Sequence, residues 1–309
     1  FDINRATFQH GNNTYRGSSG AVDPYRPDPG FYTSPEPFIP RFRNQAQQYA
    51  LFAENRLELT ERWSLVAGTR LDHVHLTRQD LLAGVQAFER SYRNTGWRLG
   101  TVYQPQPDLS LYAQAAQAAD PVGSMLMLSP ANAAFDASTG RQLEVGLKQA
   151  FWDGQGSWTL AAYTITKHNL VTRDPAHPAL QIQVGQRSSK GVEGTLSMQL
   201  TKALQLDANV ALLKARYDDF TESVAVSRNG NLPPDVPERV ANLWLGWKLL
   251  PDWTLSAGMR HVGKRYADSA NRLKLPAYTT TDLALQWSAT ADTMLALRGF
   301  NVFNKHYFS

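Results

Sequence analysis

The sequence predicts an all-β protein, an antiparallel up-and-down transmembrane β-barrel, and three patterns point to it. Apolar and polar residues alternate along successive runs, tight turns alternate with long polar links between those runs, and tryptophans gather beside the tight turns. In Trp63-Ser-Leu-Val-Ala-Gly-Thr-Arg-Leu-Asp72 one parity carries Trp63, Leu65, Ala67, Thr69 and Leu71. The other carries Ser64, Val66, Gly68, Arg70 and Asp72, so one face is apolar and the other mostly polar. The same split recurs over 142–148, 204–210 and 282–287. The run Trp63-Ser-Leu-Val-Ala-Gly-Thr-Arg70 nearly repeats as Trp253-Thr-Leu-Ser-Ala-Gly-Met-Arg260, one strand type used twice in one large sheet.

Taken in order, these runs place thirteen strands near 1–8, 44–60, 63–79, 91–104, 108–118, 139–151, 157–168, 180–201, 204–217, 236–250, 253–263, 276–288 and 292–302. Short turns fall at 60–62, 105–108, 153–156, 201–203, 251–252 and 289–291, and every other link is long and rich in Pro, Asn, Ser and Asp. Tight turns then share one rim and long loops the other, the connection pattern of an outer-membrane barrel. Trp63, Trp152, Trp158, Trp247, Trp253 and Trp287 lie within a few residues of a tight turn, where an aromatic girdle would sit; Trp97 and Trp244 do not. The competing reading is a soluble sandwich, which would bury Leu65, Leu143, Leu206 and Leu285 between two sheets.

The composition fits the barrel and removes several alternatives. With 31 Lys and Arg against 27 Asp and Glu the net charge is only +4, and no basic block of five or six occurs, so no nucleic-acid partner is expected. There is no cysteine, hence no disulfide framework, thiolate metal site or cysteine nucleophile. No window approaches 18 apolar residues, which excludes helical spans. A mean hydropathy of -0.40 suits a barrel wall, because alternation keeps the average near that of a soluble chain.

Chemistry-bearing constellations are sparse. His73 and His75 project from one face of a strand, two potential metal ligands whose third would have to come from elsewhere; no metal site is assigned. Glu54, Arg56, Glu58, Arg70, Asp72, Glu144, Lys148, Glu193 and Arg260 share the polar parity and read as a hydrated wall of offsetting charges. No Ser/His/Asp order, carboxylate pair or phosphate loop stands out, so no catalytic residue is assigned.

Particular stretches resemble a known family. Tyr49-Ala-Leu-Phe-Ala-Glu-Asn55 with Leu57-Glu-Leu59, Trp63–Asp72, Gln142–Lys148, Lys190-Gly-Val-Glu193, Pro234-Asp-Val-Pro237 and Asn301-Val-Phe-Asn-Lys-His-Tyr307 resemble, in order, the C-terminal half of the barrel of TonB-dependent ferric-siderophore receptors. The resemblance implies an incomplete strip of about thirteen strands of a 22-strand barrel over 1–309, with plug domain, first barrel strands and terminal strand absent. It also implies a location in the cell outer membrane of a Gram-negative bacterium, among outer-membrane lipid. The intact protein would be a monomer that binds a ferric siderophore, with iron as cargo and no cofactor of its own, and that is energised by TonB through an N-terminal plug.

Substrate contact would fall to the long outer loops. Tyr15, Tyr25, Arg26, Tyr32, Met125, Met127, Phe135, Phe220, Arg228, Arg265 and Tyr266 lie in or beside them, and aromatic and Arg side chains suit an anionic, partly aromatic chelate. Two alternatives stand beside this reading: a passive or adhesive barrel without energy coupling, and an outer-membrane hydrolase using His73, His75 or His261.

Overall fold

The computed structural model describes residues 2–10, 16–17, 32–33, 40–120, 135–173, 181–223 and 226–308. Among them there is no helix, and the principal element is one 13-stranded sheet. Its strands are β1 (Asp2–His10), β2 (Phe42–Thr60), β3 (Trp63–Asp80), β4 (Val85–Gln106), β5 (Leu109–Asp120), β6 (Ser138–Phe151) and β7 (Gly156–Arg173). They continue with β8 (Gln181–Thr201), β9 (Leu204–Asp219), β10 (Arg239–Leu250), β11 (Trp253–Val262), β12 (Tyr278–Thr290) and β13 (Thr293–Gly299). Neighbours in the sheet are neighbours in the chain from β1 to β13, an antiparallel meander. Three two-stranded ribbons, including Arg265–Tyr266 with Lys274–Leu275, decorate the links.

The register turns the alternation of the sequence into two faces. One rung runs Leu147, Leu160, Gly194, Val210, Ala241, His261 and Thr279 across seven strands. The adjacent rung runs Lys148, Thr159, Thr195, Asn209, Asn242, Arg260 and Thr280. Because successive side chains leave a strand on opposite sides, the first rung belongs to a mostly apolar face and the second to a polar one. Among the described residues no second sheet covers the apolar face: Leu143 is 58% exposed, and Val145, Val210, Leu212 and Leu243 are exposed too. That arrangement rules out the sandwich.

The chain divides into two compact units. The smaller holds residues 1–52, 70–95 and 120–137. Here Val74, Leu76 and Tyr92 are buried, and the Arg78 guanidinium lies 4.0 Å from the Phe42 ring centroid. The sequence places a long link between 79 and 91, but β3 and β4 are instead joined by the four residues 81–84. The Asp80 carboxylate accepts from the backbone N–H groups of Leu82 and Ala83 at 3.0 and 3.1 Å, and Gly84 supplies φ +65°. Side-chain capping with a left-handed glycine makes the tight turn that extends both strands.

The larger unit holds residues 53–69, 96–119 and 138–309. Its tight turns fall where the sequence places them, and Trp253 and Trp287 stack at 5.5 Å beside two of them. The Trp63 indole N–H donates to Thr101 Oγ1 at 2.6 Å. At the far end β13 stops at Gly299, short of the expected 302, because Asn301 takes φ +46° and its side chain accepts from Lys305 N at 2.8 Å. That Asx contact closes a turn of the kind Asn tolerates.

Three times on the polar face an aromatic ring lies over a glycine of the next strand. A Cβ on Gly146 would sit 2.6 Å from Tyr112 Cζ, one on Gly191 2.6 Å from Tyr163 Oη, and one on Gly258 2.7 Å from the Trp244 ring. Tyr112 then donates to Glu144 Oε1 at 2.8 Å, and Tyr163 hydrogen-bonds Glu193. Glycine removes the side chain that would block the ring, and the ring fills that space while its hydroxyl meets a carboxylate. Gly191→Ala is expected to destabilise the protein by about 1–3 kcal/mol and by more than Gly146→Ala. The reason is that the Gly191 Cβ would also meet the Leu212 carbonyl at 2.9 Å, which cannot swing aside as the Tyr112 ring can. Thermal unfolding of both variants checks this ranking, and equal midpoints would contradict it.

Candidate functional site

The loop rim of the larger unit gathers four of the residues expected at the outer surface: Phe220, Arg228, Arg265 and Tyr266. Two links form it, 220–238 after β9 and 263–277 after β11, and polar side chains zip them together. The Asn271 side chain accepts from Leu232 N and donates to Leu232 O, both at 2.8 Å. Asn231 Nδ2 donates to Ser269 O at 2.9 Å. Asp235 and Asn271 both take left-handed φ of 57°, the conformation Asx residues tolerate best after glycine.

The two arginines are held by carboxylates of the same links. Arg228 donates through Nε to Glu222 Oε2 at 2.8 Å and through Nη2 to the same oxygen, while Ser269 Oγ donates to Glu222 Oε1 at 2.7 Å. Arg265, only 6% exposed, donates through Nε to Asp235 Oδ1 at 3.1 Å and through Nη2 to the Phe308 carbonyl. Its guanidinium also lies 5.7 Å from the Tyr278 ring centroid, and that ring stacks on Tyr307 at 4.0 Å. Phe220 is 2% exposed and packs on Tyr217, with Leu170 and Ile182 against the pair, so it is core for the loop and not surface. Tyr266 is half-buried and gives its backbone carbonyl to Asp235 N at 2.9 Å.

In the smaller unit the Phe135 carbonyl accepts from Tyr92 Oη at 3.3 Å. Tyr32 pairs with Gly17 in a short ribbon. Tyr15, Tyr25, Arg26, Met125 and Met127 lie outside the described residues. His75 Nδ1 is 3.0 Å from Ser91 Oγ and Nε2 is 3.5 Å from Glu89 Oε1. No group of three or more His, Asp or Glu converges as a metal site among the described residues. His261 faces Thr279 Oγ1 at 3.0 Å on the apolar side of the sheet.

The sequence reading missed Glu222, Asp235, Ser269, Asn271 and the Tyr278–Tyr307 stack, although Asn and Asp in Pro-flanked links do signal turns. It also missed the environment of Asp218. Partial burial alone would raise this carboxyl, but hydrogen bonds from Ser188 Oγ at 2.9 Å, Gln186 Nε2 at 3.2 Å and Arg216 Nε at 2.8 Å outweigh it. Together with the Arg216 charge they hold Asp218 below the ordinary carboxylate range.

Two expectations follow. Glu222→Ala strips acceptors from both Arg228 and Ser269 and should cost about 1–3 kcal/mol, against about 0.5–1.5 kcal/mol for Ser269→Ala. Thermal unfolding, with the rate of proteolytic nicking in 220–238, reads the difference. Asp218, depressed in the folded state, stabilises the fold above its unfolded pKa of about 3.9 and loses that contribution as pH falls through its folded value. Asp218→Asn should therefore flatten the acid limb of stability against pH, and an unchanged limb would contradict this.

Comparison with known proteins agrees with the geometry. The family profile described as "TonB dependent receptor-like, beta-barrel" matches residues 1–304. The chain is 30% identical over 304 residues to the metal-pseudopaline receptor CntO of Pseudomonas aeruginosa, covering 93% of this chain and 41% of that protein. It is 26% identical over 288 residues to the probable TonB-dependent siderophore receptor PiuA of Acinetobacter baumannii, covering 87% of this chain and 38% of that protein. The chain thus spans about two fifths of the length of these relatives. The crystal structure of PiuA superimposes with a TM-score of 0.75 at 23% identity, over 92% of this chain and 42% of PiuA. The closed form of the Escherichia coli ferric-catecholate import receptor Fiu gives 0.75 at 20% identity, over 99% of this chain and 47% of Fiu. With a family match over almost its whole length and the same meander, the chain belongs to the TonB-dependent receptor β-barrel family.

Proposed function

We propose that this chain forms barrel wall and outer loops of a Gram-negative outer-membrane receptor that takes up ferric siderophores with energy from TonB. The observation that carries the membrane part is the length of the apolar band. On β6, β8, β9 and β10 an outward cation and the outward apolar residue near the tight turn stand ten positions apart: Arg141 and Phe151, Lys190 and Leu200, Lys214 and Leu204, Arg239 and Leu249. Ten residues make about 33 Å of strand, which at a tilt of about 40° spans about 25 Å, the height of an outer-membrane apolar band. A soluble sheet has no reason to change from apolar to cationic at one height on one face.

The function rests further on relatives named as siderophore and metal-pseudopaline receptors. In this reading iron enters as cargo inside its chelate, no resident cofactor is needed, and no bond is made or broken. The intact protein works as a monomer, with TonB acting through a plug region N-terminal to the barrel and with no nucleic-acid partner. Ligand contact is assigned to Tyr15, Tyr25, Arg26, Tyr32, Met125, Met127, Phe135, Arg228, Arg265 and Tyr266. Among these Arg228 and Arg265 act first by shaping the loops, since carboxylates already hold them.

Deleting the gene should abolish uptake of radiolabelled iron supplied as its siderophore, and complementation should restore it only where TonB is present. Uptake that persists without TonB would favour the passive barrel instead. Tyr266→Ala should weaken chelate binding by about 0.5–1.5 kcal/mol, roughly two- to thirteenfold, if its ring stacks on the ligand. The unfolding midpoint should hardly move, because the loop uses the Tyr266 backbone carbonyl, which the variant retains.

A further inference from the structure

One asparagine in the sequence is followed by glycine, Asn229 before Gly230, and the structure places this pair in the link after β9. A short ribbon of Thr221–Ser223 with Val226–Ser227 leads into it. A β-turn then closes from Asn231 N to Arg228 O at 3.0 Å, with Gly230 at φ +86° in its third position, where a positive φ calls for glycine. Both residues are exposed, and the space a Gly230 Cβ would enter is open, with nothing within 4 Å. That side of the peptide is bare to water.

Two hydrogen bonds bear on the chemistry of the pair. Phe220 N donates to Asn229 Oδ1 at 2.8 Å, and Gly230 N donates to Tyr217 O at 2.8 Å. The first polarises the side-chain carbonyl and is aimed at the oxygen on which negative charge would gather if a nucleophile added to Asn229 Cγ. The second keeps the nearest nucleophile, the Gly230 amide nitrogen, on another partner. Tyr217 N donating to Asn231 O and Arg228 N donating to Phe220 O, both at 2.9 Å, complete a small ladder around the turn. Side chains hold that ladder shut: Phe220, 2% exposed, packs on Tyr217, and Arg228 is tied to Glu222. The electrophile is therefore activated while the nucleophile is restrained, and the restraint lasts only while the ladder stays closed.

We propose that Asn229 and Gly230 form a self-modifying site, which deamidates when opening of the ladder frees Gly230 N from Tyr217 O. A bond forms between Gly230 N and Asn229 Cγ, the Cγ–Nδ2 bond breaks, and ammonia leaves with the proton that Gly230 N gives up. Water then opens the cyclic imide at either carbonyl and leaves aspartate or its isoaspartyl isomer at 229. Water is the only co-reactant. In the isoaspartyl form the main chain runs through the former side chain, so the turn is lengthened and the oxygen that capped Phe220 N becomes part of the backbone. Modification thus loosens the segment that carries Arg228 and covers Phe220, and its extent records how often this part of the link has opened. The site stands independently of what the intact protein transports.

The test incubates the full-length gene product, in a neutral detergent and mildly alkaline buffer, beside a synthetic peptide of residues 226–232. Peptide mapping by mass spectrometry follows conversion at 229, and enzymatic methylation measures isoaspartate. In the folded protein, conversion should appear at 229 before any other described asparagine. It should run about tenfold or more slower than in the peptide, because only the open fraction reacts. Phe220→Ala strips the packing that closes the ladder and should bring the rate close to that of the peptide. Arg228→Gln releases Glu222 but leaves Phe220 in place, and it should raise the rate by a smaller factor with hydrogen exchange at Gly230 N rising in step. This second variant carries the test if Phe220→Ala does not fold. Asn229→Gln should remove the isoaspartate signal from this peptide. A folded-protein rate equal to that of the peptide, a rate that Arg228→Gln leaves unchanged, or isoaspartate that persists there in Asn229→Gln would each overturn the proposal.

Discussion

The constraint on which the rest depends is that a strand lying against hydrocarbon must find every backbone hydrogen bond inside the sheet. An antiparallel meander does this with neighbours supplied by the chain itself, and the register is then almost free of interruptions. In the ladders β4–β5, β8–β9, β10–β11 and β12–β13 the irregularities mark the rims: Tyr103/Gln106, Gln199/Thr201, Lys248/Leu250 and Ser288/Thr290 all adjoin tight turns, and Gln186/Arg187 lies on the loop side of Lys190. A bulge leaves a peptide group unpaired, and only where water reaches is that cheap. The bulges therefore bracket the same band that the outward apolar residues define.

With the backbone satisfied, the two faces are free to solve different problems. The outward rung needs only apolar surface, and it accepts Leu, Val, Ala and Gly without interlocking packing. The inward rung is polar and must settle its own charges, as Arg98 does with Glu54 at 2.9 Å and Arg70 with Asp72 at 3.0 Å. The rings laid over Gly146, Gly191 and Gly258 belong to this second problem. They cover backbone on the polar face, and the two tyrosines also bring a hydroxyl to a carboxylate, Tyr112 to Glu144 and Tyr163 to Glu193.

What could be read from the sequence was what depends on neighbours in the chain. The alternation over 63–72 and the hairpins at 61–62, 202–203 and 251–252 are local, set by period two and by turn chemistry, and they stand in the structure as read. The turn at 81–84 is equally local, and Asp80 and Gly84 signal it, but Leu81-Leu82-Ala83 carries no polar turn residue and looked like part of a longer link. Contacts between distant segments were invisible. Nothing in the sequence pairs Tyr112 with Gly146, Arg265 with Asp235, or Asn271 with Leu232, because those pairings follow from register and from how two links fold onto each other. Phe220 shows the limit for the candidate site: an aromatic residue in a loop reads as a ligand contact, and its burial against Tyr217 appears only once the loop has closed.

The two units hold their loop-side segments in different ways. In the smaller unit the ladder itself continues, with β3 and β4 running on to a turn capped by Asp80. In the larger unit the strands stop earlier, and side chains take over: Glu222 holds Arg228 and Ser269, Asp235 holds Arg265, and Asn271 joins the two links through Leu232. Both devices fix backbone that would otherwise have to be ordered when a ligand arrives, and ordering is the main tax on affinity at a loop-built surface. Under the proposed function, a chelate at this rim would meet aromatic side chains already set in place, and Arg228 and Arg265 would contribute first through the loop arrangement that their carboxylate partners fix.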